Sequence, residues 1–135
     1  MANEMFERGK AIREKVLGTE YVTGALKNVD DFNRDFQALV TEYCWGACWG
    51  REALPHKTRS MLNLAMLSAL NRQHEFELHF KGAIRNGCTL DELREILMQV
   101  AIYCGIPAGV EAFRNARRIL AENPDLAAKA KSGKA

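Results

Sequence analysis

Apolar residues recur along this chain at helical spacing, three and four apart, and nowhere in the alternation of a half-buried strand. Met5, Ile12, Val16 and Leu17 form a first stripe among Glu, Arg and Lys, which predicts a helix over residues 4–17 stopped by Gly18. Residues 19–29 read as a connector with a short helical turn near 21–26. Asp30 or Asp31 then offers a cap for a second helix, whose apolar positions are Phe32, Phe36, Leu39, Val40 and Tyr43. That helix runs into Trp45. Gly46 and Gly50 flank Trp49, so 46–54 reads as a loop or a loosely wound turn.

Pro55 suits the first position of the next helix, predicted over 56–71. Met61, Leu62, Leu64, Ala65, Met66, Leu67, Ala69 and Leu70 cover nearly its whole circumference. A helix apolar all round calls for burial all round, and in a chain this small that implies a subunit interface. Residues 73–86 form another helix, closed by Asn86-Gly87. Thr89-Leu90-Asp91-Glu92 is a capping box for a helix carrying Leu90, Leu93, Ile96, Leu97, Val100 and Ala101. Gly105-Ile106-Pro107 interrupts it, and Pro107 starts a last long helix to about Ala121. The expected architecture is all-α, a compact bundle of about six helices in one domain over residues 1–121. Residues 122–135, rich in Ala and Lys and broken by Pro124 and Gly133, are expected to be a flexible tail.

Composition narrows the function classes. Nineteen basic against seventeen acidic residues leave a net charge of +2, without the basic stripe of a nucleic-acid binder. No apolar run reaches the roughly 18–20 residues of a membrane helix. The start of the chain lacks a signal-peptide core, so a cytoplasmic protein is expected. In that compartment Cys44, Cys48, Cys88 and Cys104 are expected to be free thiols.

The candidate chemistry gathers in residues 42–79, which hold both tryptophans and all three histidines. Glu75 and His79 stand one helical turn apart, so the carboxylate can orient the imidazole and raise its pKa toward that of a usable general acid. Arg72 is placed to join the same face; the competing reading is a solvated row of salt bridges. His74 and His79 are five apart and diverge by about 140° on a helix, so they do not form the zinc pair of an HExxH motif. Cys44 and Cys48 are spaced one residue wider than a Cys-x-x-Cys redox motif, and no second pair completes a metal site. No metal site is expected. Trp45 and Trp49 either pack in the core or, with Arg51 following, wall a dry site that attracts an anion.

Taken in order, Trp45-Gly46-x-x-Trp49-x-Arg51, Leu54, Thr58-Arg59-Ser60, Glu75-x-x-x-His79, Asn86-Gly87 and Tyr103-Cys104-Gly105-Ile106-Pro107-Ala108 resemble the carboxymuconolactone decarboxylase family. Asp31-Phe32-Asn33 and Phe36-Gln37 extend the likeness upstream, so that it covers roughly residues 10–120. The resemblance implies the all-α fold of the alkylhydroperoxidase D-like proteins in a ring-like homo-oligomer, often a hexamer, with no cofactor. It implies decarboxylation of an anionic lactone, 4-carboxymuconolactone, to 3-oxoadipate enol-lactone in aromatic catabolism. His79 would then supply a proton, positioned by Glu75. Arg51 and Arg72 would hold carboxylates, and Trp45 and Trp49 would exclude water.

The peroxidase relatives carry a Cys-x-x-Cys pair where this chain has Arg72 and Glu75, so their disulfide relay is absent. Glu42-Tyr43-Cys44 stands where the lactone enzymes often have a basic or His pair, which admits a related lactone or acid as substrate. The rival readings are a thiol-dependent peroxidase using Cys44 and Cys48, and a non-catalytic oligomeric binding protein.

Overall fold

A computed structural model describes residues 3–133. Among them every regular element is helical. Among the described residues there are eight α-helices and one π-helix, where the hydrophobic pattern predicts about six helices. The chain divides into two compact units, Met1–Pro55 and His56–Ala135.

The first unit opens with α1 (Glu4–Leu17), capped by the Asn3 side chain, which accepts from the Phe6 N–H. Gly18, at φ 96°, ends α1, and α2 (Thr19–Lys27) starts at once. The predicted connector is thus a full helix, with Val22 fully buried. Asp30 Oδ1 accepts from the N–H groups of Phe32 and Asn33, forming a turn that leads into α3 (Arg34–Leu39). α3 passes directly into a π-helix over Val40–Cys48, a stretch assigned from sequence partly to helix and partly to loop.

That π-helix has a tertiary cause. Gly9 of α1 lies so close that a Cβ on it would sit 1.8 Å from the Thr41 carbonyl oxygen and 2.8 Å from the Gly46 nitrogen. Only a residue without a side chain permits this approach. Arg13, one turn further along α1, is buried and donates to Gln37 Oε1 (3.1 Å) and Thr41 Oγ1 (3.3 Å). Thr41 Oγ1 in turn donates to the Gln37 carbonyl at 2.7 Å. Arg8 closes the far end by donating to the Gly50 carbonyl.

The second unit has a conventional apolar core. Its helices are α4 (His56–Ala69), α5 (Gln73–Arg85), α6 (Leu90–Cys104), α7 (Ile106–Glu122) and α8 (Pro124–Ser132). Leu64, Phe76, Phe80, Ile84, Leu93, Leu97 and Ile119 are its largest buried side chains. The capping box at Thr89 and Glu92 is present in both directions, at 2.9 and 3.1 Å. Gly87 and Cys88 donate to the Ile84 and Ala83 carbonyls and close α5 as the Asn86-Gly87 signal predicts. Gly105, at φ 104°, separates α6 from α7, a conformation that L side chains rarely adopt.

In the single chain, Ser60 and Leu64 of α4 are buried, whereas Leu62, Met66 and, just beyond the helix, Leu70 are exposed. The expected flexible tail is instead helical over Pro124–Ser132, with Ala130 buried and Leu126 packed on the core. Among the described residues no helix is long and apolar enough to cross a membrane.

Candidate active site

The second unit positions His79 through its core. α4 and α5 form a helical hairpin whose link passes through Asn71, at φ 59° in the left-handed region that Asn tolerates. Leu64 is fully buried and fixes which face of α4 points inward. Phe76 and Phe80, stacked with centroids 5.7 Å apart, do the same for α5. Asn63 and His79 each precede one of these anchors, and the packing brings Asn63 Nδ2 to 3.4 Å from His79 Nδ1.

Burial pushes the His79 pKa down from 6.5 to about 4, and the Glu75 charge opposes this as the lesser effect. The sequence spacing of Glu75 and His79 points to a raised pKa, and the Glu75 contribution does have that sign. Desolvation outweighs it, because a buried imidazolium loses more hydration than one carboxylate a turn away restores. In the free protein His79 is therefore a neutral imidazole at pH 7.

Arg72 does not complete an Arg-Glu-His row. It occupies the N-cap position of α5, with φ −101° and ψ 79°, and its guanidinium donates to the Leu70 carbonyl at 3.1 Å. Both Arg72 and Glu75 are exposed. His74 is exposed as well, and among the described residues no group of three or more His, Cys, Asp or Glu side chains is placed to hold a metal ion.

The first unit holds the tryptophans and Arg51. Trp45 and Trp49 lie 4.7 Å apart between ring centroids, tilted by 33°. They are 3% and 4% exposed, so the indoles bury each other instead of presenting open walls. The Trp49 N–H donates to the Cys44 carbonyl five residues back, the bond that defines a π-turn, and the Arg51 N–H donates to the Cys48 carbonyl. Arg51 thus emerges, exposed, from the turn that ends the π-helix.

Cys44 and Cys48 are not joined to each other by a disulfide. Desolvation first, and Cys48 second, hold the Cys44 thiol above its ordinary range, the opposite of an activated thiolate. Two cavities of about 330 and 350 Å³ lie in the second unit, one between the α4–α5 link and α7 and the other between α4 and α6. Neither is lined by any of the six site residues expected from sequence.

Asn63 is the residue that sequence reasoning missed. An Asn inside an apolar helix, immediately before a fully buried Leu, was the available signal: a polar side chain beside a core anchor needs a partner.

Fold and site together define a small all-helical protein with a perturbed, half-buried histidine on a helical hairpin. The chain belongs to the carboxymuconolactone decarboxylase family, whose sequence model matches residues 34–118. It is 37% identical over 116 residues to a 4-carboxymuconolactone decarboxylase of Acinetobacter baylyi, covering 86% of this chain and 87% of that protein. It is 44% identical over 108 residues to a nitrosuccinic acid decarboxylase of Metarhizium robertsii, covering 80% and 76% respectively. An uncharacterized 15.0 kDa protein of Paracoccus denitrificans is 28% identical over 90 residues, 65% of this chain and 67% of that one. The chain is accordingly an enzyme of the decarboxylase, or carboxy-lyase, class.

Proposed function

We propose that this enzyme removes CO₂ from 4-carboxymuconolactone, giving 3-oxoadipate enol-lactone, or from a close analogue, in the breakdown of aromatic compounds. The observation that carries this reading is the half-buried His79 imidazole, one helical turn from Glu75, in a chain 37% identical to a lactone decarboxylase. When the C–C bond to the leaving carboxylate breaks, its electron pair passes through the ring double bond to the lactone carbonyl. The resulting anion then takes a proton on carbon. His79 supplies that proton and Glu75 orients it. An anionic ligand beside a neutral imidazole raises its pKa in the same sense as Glu75, so His79 takes up its second proton together with the substrate. Arg51 and Arg72, both exposed guanidinium groups, bind carboxylates. Trp45 and Trp49 hold the end of the π-helix from which Arg51 emerges.

A second substrate is favoured by the 44% identity to the nitrosuccinic acid decarboxylase. Nitrosuccinic acid is also a dicarboxylic acid whose leaving carboxylate adjoins an electron-withdrawing group, and its electron pair passes to the nitro oxygens. The two substrates demand the same service: two carboxylates held, one oxygen-centred anion tolerated, one proton returned to carbon. Glu42, at the position where a basic or His pair is common in the lactone enzymes, accepts from Asn3 Nδ2 at 2.8 Å.

Following CO₂ release from each acid, with loss of the lactone's ultraviolet absorbance in parallel, tests the reading. Turnover of neither acid overturns it. We also propose a soluble, cytoplasmic homo-oligomer, with a hexamer as the leading form. Leu62 and Met66 on α4 and Met98, Ile102 and Tyr103 on α6 leave more apolar surface exposed than a monomer usually tolerates. Light scattering that returns the 15.2 kDa chain mass would refute the oligomer.

A further inference from the structure

We infer that Arg8 is a substrate-binding residue, which joins Arg51 in holding the carboxylate that the substrate keeps. The inference rests on the carboxylate-binding role proposed above for Arg51. Its own ground is the meeting of α1 with the end of the π-helix, where buried Gly50 makes a seat for the Arg8 guanidinium. A Cβ on Gly50 would lie 2.7 Å from Arg8 Nε and 2.8 Å from Arg8 Nη2, so the group rests directly on bare backbone. Nη2 donates to the Gly50 carbonyl, and Arg51 is the next residue. Arg8 is thus anchored on the very turn from which Arg51 emerges.

That anchor uses little of what Arg8 offers. A guanidinium carries several N–H donors in a fixed fork and a charge that it does not lose. One donor goes to Gly50. The side chain is exposed, and among the described residues no carboxylate pairs with it. Arg34, Arg94, Arg114 and Arg118 differ, since each has an acid of its own in Asp31, Asp91, Glu111 and Glu77. Arg8 is held in place with its charge left for an external anion. Because the Gly50 carbonyl fixes the long side chain beforehand, part of the ordering cost of binding is removed.

Decarboxylation needs the two carboxylates of such a substrate treated differently. The one that leaves becomes neutral CO₂, and strong ion pairing there stabilises the ground state against reaction. The one that stays keeps its charge throughout. Two guanidinium groups can grip it equally in the ground state and the transition state. Binding of that kind lowers KM and leaves kcat unchanged.

Calorimetric titration with succinate, a dicarboxylate with no activating group beside either carboxylate, reads binding without turnover. The parent is expected to bind it, and Arg8→Gln to bind it about 10–100-fold more weakly, the scale of a lost hydrogen bond between charged groups. Arg8→Lys keeps the charge and a donor for Gly50 but loses the fork, and is expected to fall between the two. In turnover, Arg8→Gln is expected to raise KM by a similar factor while kcat stays within about twofold of the parent, a split that loosening of α1 alone does not produce. Circular dichroism checks the fold, and if Arg8→Gln does not fold, Arg8→Lys decides. A parent that does not bind succinate overturns the inference. So does a folded Arg8→Gln, or in its place Arg8→Lys, that binds succinate like the parent, and so does a loss confined to kcat. A protein that binds succinate through Arg8 and decarboxylates neither acid defeats the proposed function alone. A decarboxylase whose Arg8 variants keep the parent's KM defeats this inference alone.

Discussion

The two units solve the same packing problem by opposite means. Met1–Pro55 joins its helices through bare backbone: Gly9 against Thr41 and Gly46, Arg13 into polar groups, and a π-helix in place of an α-helix. His56–Ala135 joins regular α-helices through an apolar core of Leu, Phe and Ile. A backbone contact tolerates no added volume, whereas an apolar core resists removed volume. The sensitivity to substitution is therefore reversed between them, and the chemistry assigned to each follows. The first unit holds Arg51 at the end of an irregular helix. The apolar unit keeps one imidazole neutral by burial.

The largest expected effect falls on the buried imidazole. His79→Gln should lower kcat by about 10²–10⁴, the usual range for a lost general acid, while circular dichroism reports an intact helical fold. Glu75→Gln should cost less, since it removes the orienting charge and leaves the ring. If His79→Gln turns over its substrate like the parent, the catalytic role moves away from the apolar unit and toward Arg51.

Stability measurements break the comparison from both sides. Leu64→Ala empties part of the second core and should cost about 2–5 kcal/mol. Gly9→Ala adds one methyl where a Cβ would meet the Thr41 carbonyl at 1.8 Å, and should cost about 1–3 kcal/mol or more. Denaturant unfolding of both variants, followed by Trp fluorescence from Trp45 and Trp49 in the first unit and by overall helicity, separates the units. Equal tolerance of Gly9→Ala and of an Ala-to-Gly change elsewhere on α1 would remove the backbone-contact account.

Acid sharpens the contrast further. The folded protein holds His79 near a pKa of about 4, while the unfolded chain titrates it near 6.5. Below 6.5 the unfolded state binds the extra proton first, so stability falls as pH drops through that window. The loss is about 3 kcal/mol at most by pH 4. His79→Gln should flatten this part of the pH–stability curve. Glu77 and Glu92, whose carboxyls are held low mainly by hydrogen bonds from Arg118 and from the Thr89 backbone, add further losses at still lower pH.

The smallest effect is expected at the π-helix thiols. Replacing both Cys44 and Cys48 by Ala should leave kcat near that of the parent, because the proposed reaction uses no thiol. A folded double variant without activity would favour the redox reading.

What could be read from the sequence was what local chemistry decides. The Thr89 capping box, the Asn86-Gly87 stop and the Gly105 break all act within a few residues, and each is found where the pattern places it. The π-helix escaped because its cause lies in Gly9 and Arg13, some thirty residues upstream. α2 and α8 escaped because short helices with few large apolar residues owe their order to packing, as buried Val22 and Ala130 illustrate. In the candidate site, the spacing of Glu75 and His79 was legible. The sign of the imidazole shift was not, because burial is a property of the fold and outweighs a charge that sequence can see. Asn63 likewise becomes a partner of His79 only once α4 and α5 lie side by side.

The π-helix also constrains how this chain tolerates insertion and deletion. A π-turn holds one residue more than an α-turn, so the stretch over Val40–Cys48 behaves as an α-helix with a residue inserted. Deleting Ala47 would let the ordinary ladder re-form and leave the two tryptophans three apart, still neighbours on one face, but the tightened turn would shift the backbone that meets Gly9 of α1. Point substitutions here change a surface; a change of length changes a backbone fit. Length across this segment is therefore the property that a working descendant of this chain has least freedom to alter.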